Sequence, residues 1–462
     1  MDFFTDILKL VNEYLWNYGL LFLLCGTGLY FTVRLKFIQV RKFGRGFKMA
    51  FGGLFKKNQE PLEKGGMTPF QSLATAIAAQ VGTGNLVGAA GALIAGGPGA
   101  IFWMWVSAFL GMATIYVEAT LAQKFKTTKD GAVTGGPRYY ITAAFRGKVG
   151  KALATVFSVL IVLALGFMGN MVQSNAIGNA FESAFAIPAW IVGIAVAAIA
   201  VVIFVGGVKR IASVTEKLVP FMALLYIIGA LVVIFANITK IPGAFGQIFV
   251  GAFSPQAVTG GVIGITIQKA MRYGVARGLF SNEAGMGSTP HAHALAKVKH
   301  PCDQGFIAMM GVFIDTFIIL TLTALVVLVT DVLPQGYSGA LNDGNLTQAA
   351  FSTLFGSFGS IFIAICLFFF AFSTIIGWYF FGATNVNALF GKIGVRIYAV
   401  IVCAFLIVGS FLKVDLVWAL TDLFNGLMVI PNLIALLALS GLVVKLNKAY
   451  ESGSRLEPHG DT

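Results

Sequence analysis

The sequence predicts an all-α polytopic membrane protein of about eleven transmembrane helices, built as a five-plus-five inverted repeat with broken first and sixth core helices. Three observations predict this. The 462-residue chain is 57% hydrophobic and 11% charged, with mean hydropathy +0.85; soluble domains carry roughly 25% charge. Apolar runs of about 20 residues, the length that crosses a bilayer, recur along it. Two of those runs are interrupted by glycine and stand five spans apart.

In order, the runs lie near 14–34, 68–95, 98–124, 151–180, 188–208, 214–237, 257–284, 303–331, 346–389, 395–412 and 416–446. The stretch 346–389 is too long for one straight span and is expected to bend or to run on into the cytoplasm. After the first run comes RLKFIQVRKFGRGFKMAFGGLFKKN, which holds Arg34, Lys36, Arg41, Lys42, Arg45, Lys48, Lys56 and Lys57. Such a loop stays in the cytoplasm. Alternation then places QKFKTTKDG, GGVKRIASVTEK, AKVKHPCDQ, GKIGVR and the C-terminal tail inside. The opposite loops hold two lysines, Lys240 and Lys413. The N-terminus is therefore expected outside and the C-terminus in the cytoplasm. The net charge of +13 fits these loops and gives no reason to invoke nucleic acid. The opening MDFFTDILKLVNEYLW lacks a basic first segment and does not read as a cleaved signal peptide. The whole chain, 1–462, reads as one transmembrane domain. It has an extra N-terminal helix at 14–34, a first repeat at 68–238, a second repeat at 257–446 and a tail at 447–462.

The second run contains IAAQVGTGNLVGAAG, residues 77–91. The spacing from Gly82 is G-x-G-x-x-x-G, not the G-x-G-x-x-G of a dinucleotide loop, and Glu118 is the first acid after it. The string also lies near mid-bilayer. It reads either as a continuous helix using glycine for close packing or as a break. A break at that depth must be buried in protein or line a cavity. Its freed carbonyls can hold a cation, and the amides of the following half-helix can hold a carboxylate. The partner stretch is GGVIGITIQKAMRYGVARGLFSNEAGMGSTP, residues 260–290, with Gly264, Gly274 and Gly278 as interruptions. It carries Lys269, Arg272 and Arg277, for which Glu118 and Asp315 are the candidate counter-charges; either acid can instead serve as a proton-relay carboxylate. Two interrupted, oppositely directed helices mark an inverted-repeat secondary transporter.

The stretches ATAIAAQVGTGNLVGAAGAL, GGPRYYI and GLFSNEAGMGSTPHAHA resemble the alanine-or-glycine:cation symporter family over nearly the whole chain. The resemblance implies a leucine-transporter-type fold and sodium-coupled uptake of alanine and glycine across a prokaryotic plasma membrane. It leaves D-alanine and the number of sodium ions open. It further implies that the amides of Gly82, Thr83 and Gly84 hold the substrate carboxylate and that the carbonyls of Ala78 and Val81 hold sodium. Gln80 stands where the pattern has a small residue, and Asn85 where it has a sodium-liganding asparagine. By the same resemblance, Phe167 and Asn170 face the pocket, and Ile267, Gln268, Met271 and Tyr273 line an unwound segment at IQKAMRYG. The carbonyl of Phe370 and the hydroxyls of Ser373 and Thr374 complete the sodium site, and Trp378 caps the pocket. Gln80 and Gln268 are departures: their amides either fill a first sodium site or hold the substrate amine.

Other chemistry finds little support. His291 and His293 have no third ligand nearby in the sequence. No Ser-His-Asp or H-E-x-x-H set is present, so the chain does not read as an enzyme. A proton-coupled amino-acid carrier on the same fold is the alternative to sodium coupling.

Overall fold

The computed structural model describes residues 2–52, 64–259, 265–412 and 414–453. Lys56, Lys57, Gly264, Lys413 and most of the C-terminal tail lie outside the described residues. Among these residues, seven helices are long and apolar enough to cross a membrane, or eight when one bent pair is taken as a single span.

The first is α1, Asp6–Arg34. The bent pair is α2, Pro69–Gln80, and α3, Gly84–Gly96, whose axes differ by 50°. Next come α4 (Gly99–Lys124) and a short helix α5 (Pro137–Ala144). They are followed by α6 (Lys148–Phe185), α7 (Ala189–Val205) and α8 (Gly207–Ala236). After α9 (Ile241–Phe253) the chain reaches α10 (Ile267–Asn282), an irregular stretch and α11 (Pro301–Val329). The last are α12 (Asp343–Phe355), α13 (Ser357–Phe411), α14 (Val414–Ala438) and α15 (Ser440–Glu451).

The run expected at 346–389 is not one bent span. Gly356, at φ +57°, ends α12, and a new helix starts at Ser357. That helix passes through Gly391 (φ +70°, ψ −167°), which divides α13 into two limbs. Between α4 and α5 the basic loop forms a small antiparallel hairpin, Thr127–Lys129 with Ala132–Thr134. Its turn is Asp130-Gly131, both at positive φ, as a two-residue hairpin requires.

Packing follows the apolar pattern. α6 and α7 lie along α13, while α10 and α11 lie along α4; α2 packs between α8, α13 and α11. Large apolar side chains such as Val202, Val205, Phe221 and Val400 point out of the bundle. Apolar surface on this scale needs a lipid covering. Four wide π-helical turns interrupt the spans, at Leu15–Leu20, Gly84–Gly88, Val162–Gly169 and Phe313–Leu320. Such turns loosen the i→i−4 ladder and gather at functional sites. Three of them carry Asn85, Phe167 and Asp315.

Gly391→Ala tests the division of α13. No atom lies within 4 Å of an added Cβ there, so only the positive φ opposes it. The expected cost is about 1 kcal/mol, read as a lower apparent melting temperature in detergent. Gly441→Ala, also with open space around it but on helical backbone in α15, should leave the melting temperature unchanged or raise it.

Candidate functional site

α2 starts firmly. Thr68 caps it, with Gln71 N–H donating to the Thr68 hydroxyl at 3.1 Å and Gln71 Oε1 accepting from the Thr68 amide at 3.1 Å. It stops at Val81, whose ψ of 89° leaves the helical region. The chain resumes helix at Gly84. In the gap, the Gly82 amide donates to Asn85 Oδ1 at 3.0 Å and the Thr83 amide to Gln173 Oε1 at 3.1 Å. A side chain at Gly82 would run into the Thr374 hydroxyl, so glycine lets α13 approach the break. Thr83 and Asn85 are fully buried.

Beside this break the proposed ion ligands come together. Ser373 Oγ lies 3.1 Å from the Ala78 carbonyl oxygen and 2.8 Å from that of Phe370. Thr374 Oγ1 lies 3.0 Å from Ala78 O, 3.4 Å from Val81 O and 3.1 Å from Phe370 O. Five neutral oxygens from α2, its broken end and α13 thus form one buried cluster. Carbonyl and hydroxyl oxygens suit a hard cation. The absence of a carboxylate in the set suits a single charge better than the double charge of calcium.

The interruption that the sequence suggests at IQKAMRYG is not there. α10 runs as unbroken helix from Ile267 to Asn282, capped by Thr266, so IQKAMRYG is helical. Gly274 and Gly278 serve close packing: an added Cβ would meet Ala100 and Trp103 at the first and Ser107 at the second, all on α4. Helix ends at Glu283 (φ +57°), and Gly285 (φ +91°) and Gly287 (φ +78°) carry the irregular chain. Ser281 is the α10 residue that packs on Gly84. Ile267 stands 14 residues earlier, about 21 Å along a helix. Ile267 and Gln268 are exposed, and Met271 and Tyr273 are half-buried about 15 and 12 Å away by the same rise. None of the four lines the first break.

Three buried carboxylates hold this region, each by hydrogen-bond donors rather than by a basic side chain. Glu118, from α4, accepts the amides of Gly285 and Gly287, both at 2.9 Å, and Asn432 Nδ2 at 2.6 Å. Tyr140, on α5, donates to Asn432 Oδ1 at 2.5 Å. Asp315 accepts from Asn85 Nδ2 (2.7 Å), Ser281 Oγ (2.8 Å) and Thr316 Oγ1 (2.8 Å). Glu283 accepts from Ser288 Oγ at 2.5 Å and from Trp378 Nε1. Gln80 does not project into open space; its Nε2 donates to the Asn282 carbonyl at 2.7 Å. The break after Val81 is therefore joined to the end of α10 through Asn85–Asp315–Ser281 and through Gln80–Asn282.

The counter-charge expectation is corrected. Arg272 pairs with Glu13 at 3.7 Å, and Arg277 with Asp422 at 3.5 Å. Arg277 also lies over the Trp418 ring at 4.7 Å. Lys269 is exposed. Glu118 and Asp315 are occupied elsewhere. Phe167 packs on Tyr398 and Phe405 of the second limb of α13, with ring centroids at 5.6 and 5.0 Å, so it does not face the break. Asn170 Nδ2 bonds to Gly166 O in its own helix, and its Oδ1 is buried without a protein partner. Gln173, which reaches the break, is missed by the sequence reading. Its only signal is a polar side chain three residues beyond Asn170 in an apolar span.

A family model, the sodium:alanine symporter family, matches residues 1–459. The chain belongs to this family. The sodium/alanine symporter AgcS of Methanococcus maripaludis is 42% identical over 457 residues, covering 97% of this chain and 98% of the relative. The probable sodium/glutamine symporter GlnT of Bacillus subtilis is 43% identical over 446 residues, covering 96% and 90%. Among solved structures, MhsT in complex with L-phenylalanine matches with TM-score 0.57 and 14% identity, over 84% of this chain and 100% of that one. That likeness shows the leucine-transporter-type fold. This symporter-family member is thus a membrane amino-acid transporter and not an enzyme.

Glu118→Gln would put an amide donor against the freed amides of Gly285 or Gly287. One buried group left unsatisfied costs about 1–3 kcal/mol. The variant should therefore melt lower in detergent and transport poorly. A variant as stable and active as the wild type would show that the break does not lean on this carboxylate.

Proposed function

We propose that the protein couples inward movement of sodium to uptake of small neutral amino acids, alanine and glycine, by alternating access in a prokaryotic plasma membrane. One observation carries the reading: a single broken turn bears two donor sets. On one side stand the five oxygens of Ala78, Val81, Phe370, Ser373 and Thr374. On the other, Thr83 Oγ1 and Gln173 Nε2 are buried with no protein partner. The first set suits sodium as cargo. The second suits a carboxylate, which needs donors at a desolvated site.

The assignment departs from the motif in two respects. The amides of Gly82 and Thr83 are already engaged by Asn85 and Gln173. The substrate carboxylate is therefore assigned to the Thr83 hydroxyl, Gln173 Nε2 and the Gly84 amide. Asn85 fixes the turn instead of holding an ion, since its oxygen faces the Gly82 amide and its nitrogen faces Asp315. The peptide joining Val81 to Gly82 offers its carbonyl to the ion and its N–H to Asn85, so ion and substrate bias the same turn. That shared turn supplies the differential contact coupling requires. Close approach of Thr374 to Gly82 and of Ser281 to Gly84 supports a small substrate. Trp378, one turn from Thr374 and almost fully buried, limits the space further.

In this reading 68–238 and 257–446 are the two inverted repeats, α1 stands outside them, the N-terminus faces out and the C-terminus faces the cytoplasm. Asp315 favours a second reading, in which a proton drives uptake. Among the described residues it is a buried carboxylate without a basic partner.

Radiolabelled alanine uptake into proteoliposomes at matched pH, with and without an inward sodium gradient, separates the two. Sodium-dependent accumulation above equilibrium is expected. Equal uptake without sodium, lost in Asp315→Asn, would favour the proton. Ser373→Ala should raise the sodium concentration for half-maximal uptake by about tenfold, the effect of roughly 1.4 kcal/mol. An unchanged sodium response in that variant would remove Ser373 from the ion site.

A further inference from the structure

Glu283 stands where its residue type is disfavoured on two counts. Its φ of +57° lies in the left-handed region that glycine and asparagine adopt more readily. Its carboxylate is fully buried, and among the described residues it has no ion-pair partner. Burying an unpaired carboxylate is costly unless donors hold it. The donors are Ser288 Oγ at 2.5 Å and the indole N–H of Trp378.

The Trp378 ring is confined on its other sides. It meets Phe280 edge-on, with ring centroids 5.7 Å apart and planes at 83°. It also lies against Gly169, where an added Cβ would come within 2.8 Å of ring carbon Cε3. Gly169 closes the π-helical turn Val162–Gly169. Glycine there, Phe280 on α10 and the Glu283 carboxylate at its end together confine the indole. A tryptophan side chain has two torsions, so a fixed ring and a fixed N–H determine both. The same ring follows Thr374 by one helical turn, and Thr374 touches Gly82.

We propose that Glu283 is a specificity-determining positioning residue: it pins the Trp378 indole as a wall of the amino-acid site and so limits the side chain that the site accepts. The inference rests on reading the first break as the amino-acid site. Without the carboxylate the indole is free to turn, and the space beside Thr374 grows. Glutamine can replace glutamate in this role. Its carbonyl oxygen accepts the indole N–H, and its amide donates to the Ser288 oxygen.

The test uses the full-length protein in proteoliposomes, with labelled alanine as substrate and unlabelled leucine as competitor. In the wild type, leucine should leave alanine uptake unchanged. In Glu283→Ala, leucine should compete, and the KM for alanine should rise about tenfold with little change in maximal rate, since one methylene of misfit already matters on this scale. Glu283→Gln should keep the wild-type selection. Trp378→Phe, which lacks the N–H, should behave as Glu283→Ala, and the double variant should add nothing. Unchanged selection in Glu283→Ala, or a Glu283→Gln variant as permissive as the alanine one, would overturn the proposal. If Glu283→Ala does not fold, the glutamine and Trp378→Phe variants decide. If the wild type takes up no alanine, the reading of the site fails. The indole N–H resonance of Trp378, assigned by its loss in Trp378→Phe, then decides the positioning claim. A shift on Glu283→Gln supports the contact, and no shift overturns it.

Discussion

The carboxylate of Glu118 meets a demand that burial makes of irregular main chain. Main-chain groups packed inside the protein have no water to bond with, so side chains must supply the partners. Each oxygen of Glu118 takes one freed amide, that of Gly285 or Gly287, and Asn432 binds both the carboxylate and the Gly285 carbonyl. Tyr140 then ties this set to the short helix α5. The positive-φ path through Glu283, Gly285 and Gly287 depends on these bonds. So does the placement of Ser281 against Gly84 and of Glu283 against Trp378.

The same need to satisfy main chain links the broken turn to the end of α10. Asn85 is spent on both sides, accepting from the Gly82 amide and donating to Asp315. Asp315 in turn receives Ser281 from the end of α10. A displacement of the turn or of the α10 end must therefore rearrange the other or leave a buried donor unpaired. In a low-dielectric interior such chains reinforce one another and make partial disruption expensive. Two discrete arrangements of the pair fit this better than a continuum.

Much of the fold was legible because the bilayer imposes simple rules. Composition and run length gave the helical membrane class, and the first break was visible in Gly82 and Gly84. Ala78, Val81, Phe370, Ser373 and Thr374, far apart in the chain, lie together beside that break. The interruption expected at Gly274 and Gly278 is absent because glycine serves two purposes. Gly274 and Gly278 let α10 lie close on α4, whereas Gly285 and Gly287 carry positive φ. Spacing alone does not separate these uses. In the sequence Glu118 and Asp315 stand as candidate counter-charges or as proton-relay carboxylates, because an acid near bases in apolar runs suggests pairing. Their partners proved to be amides and hydroxyls, which a sequence does not advertise. Gln173 was overlooked for the same reason: its partner, the Thr83 amide, lies 90 residues away in the chain.

The attachments of α10 are unequal along its length. Near α1 and α14 it is fastened by Arg272–Glu13 and Arg277–Asp422, whose side chains retain 23 to 56% of their exposure. Partly hydrated pairs of this kind contribute about 1 kcal/mol or less, and dissolved salt screens them. The other end is dry and fastened by several charge-assisted bonds to main chain and hydroxyls. The helix is thus held by two kinds of bond, while Gly274 and Gly278 keep it close on α4 between them. Dissolved salt should weaken the first kind and leave the second, so the two ends of one rigid rod answer differently to ionic strength.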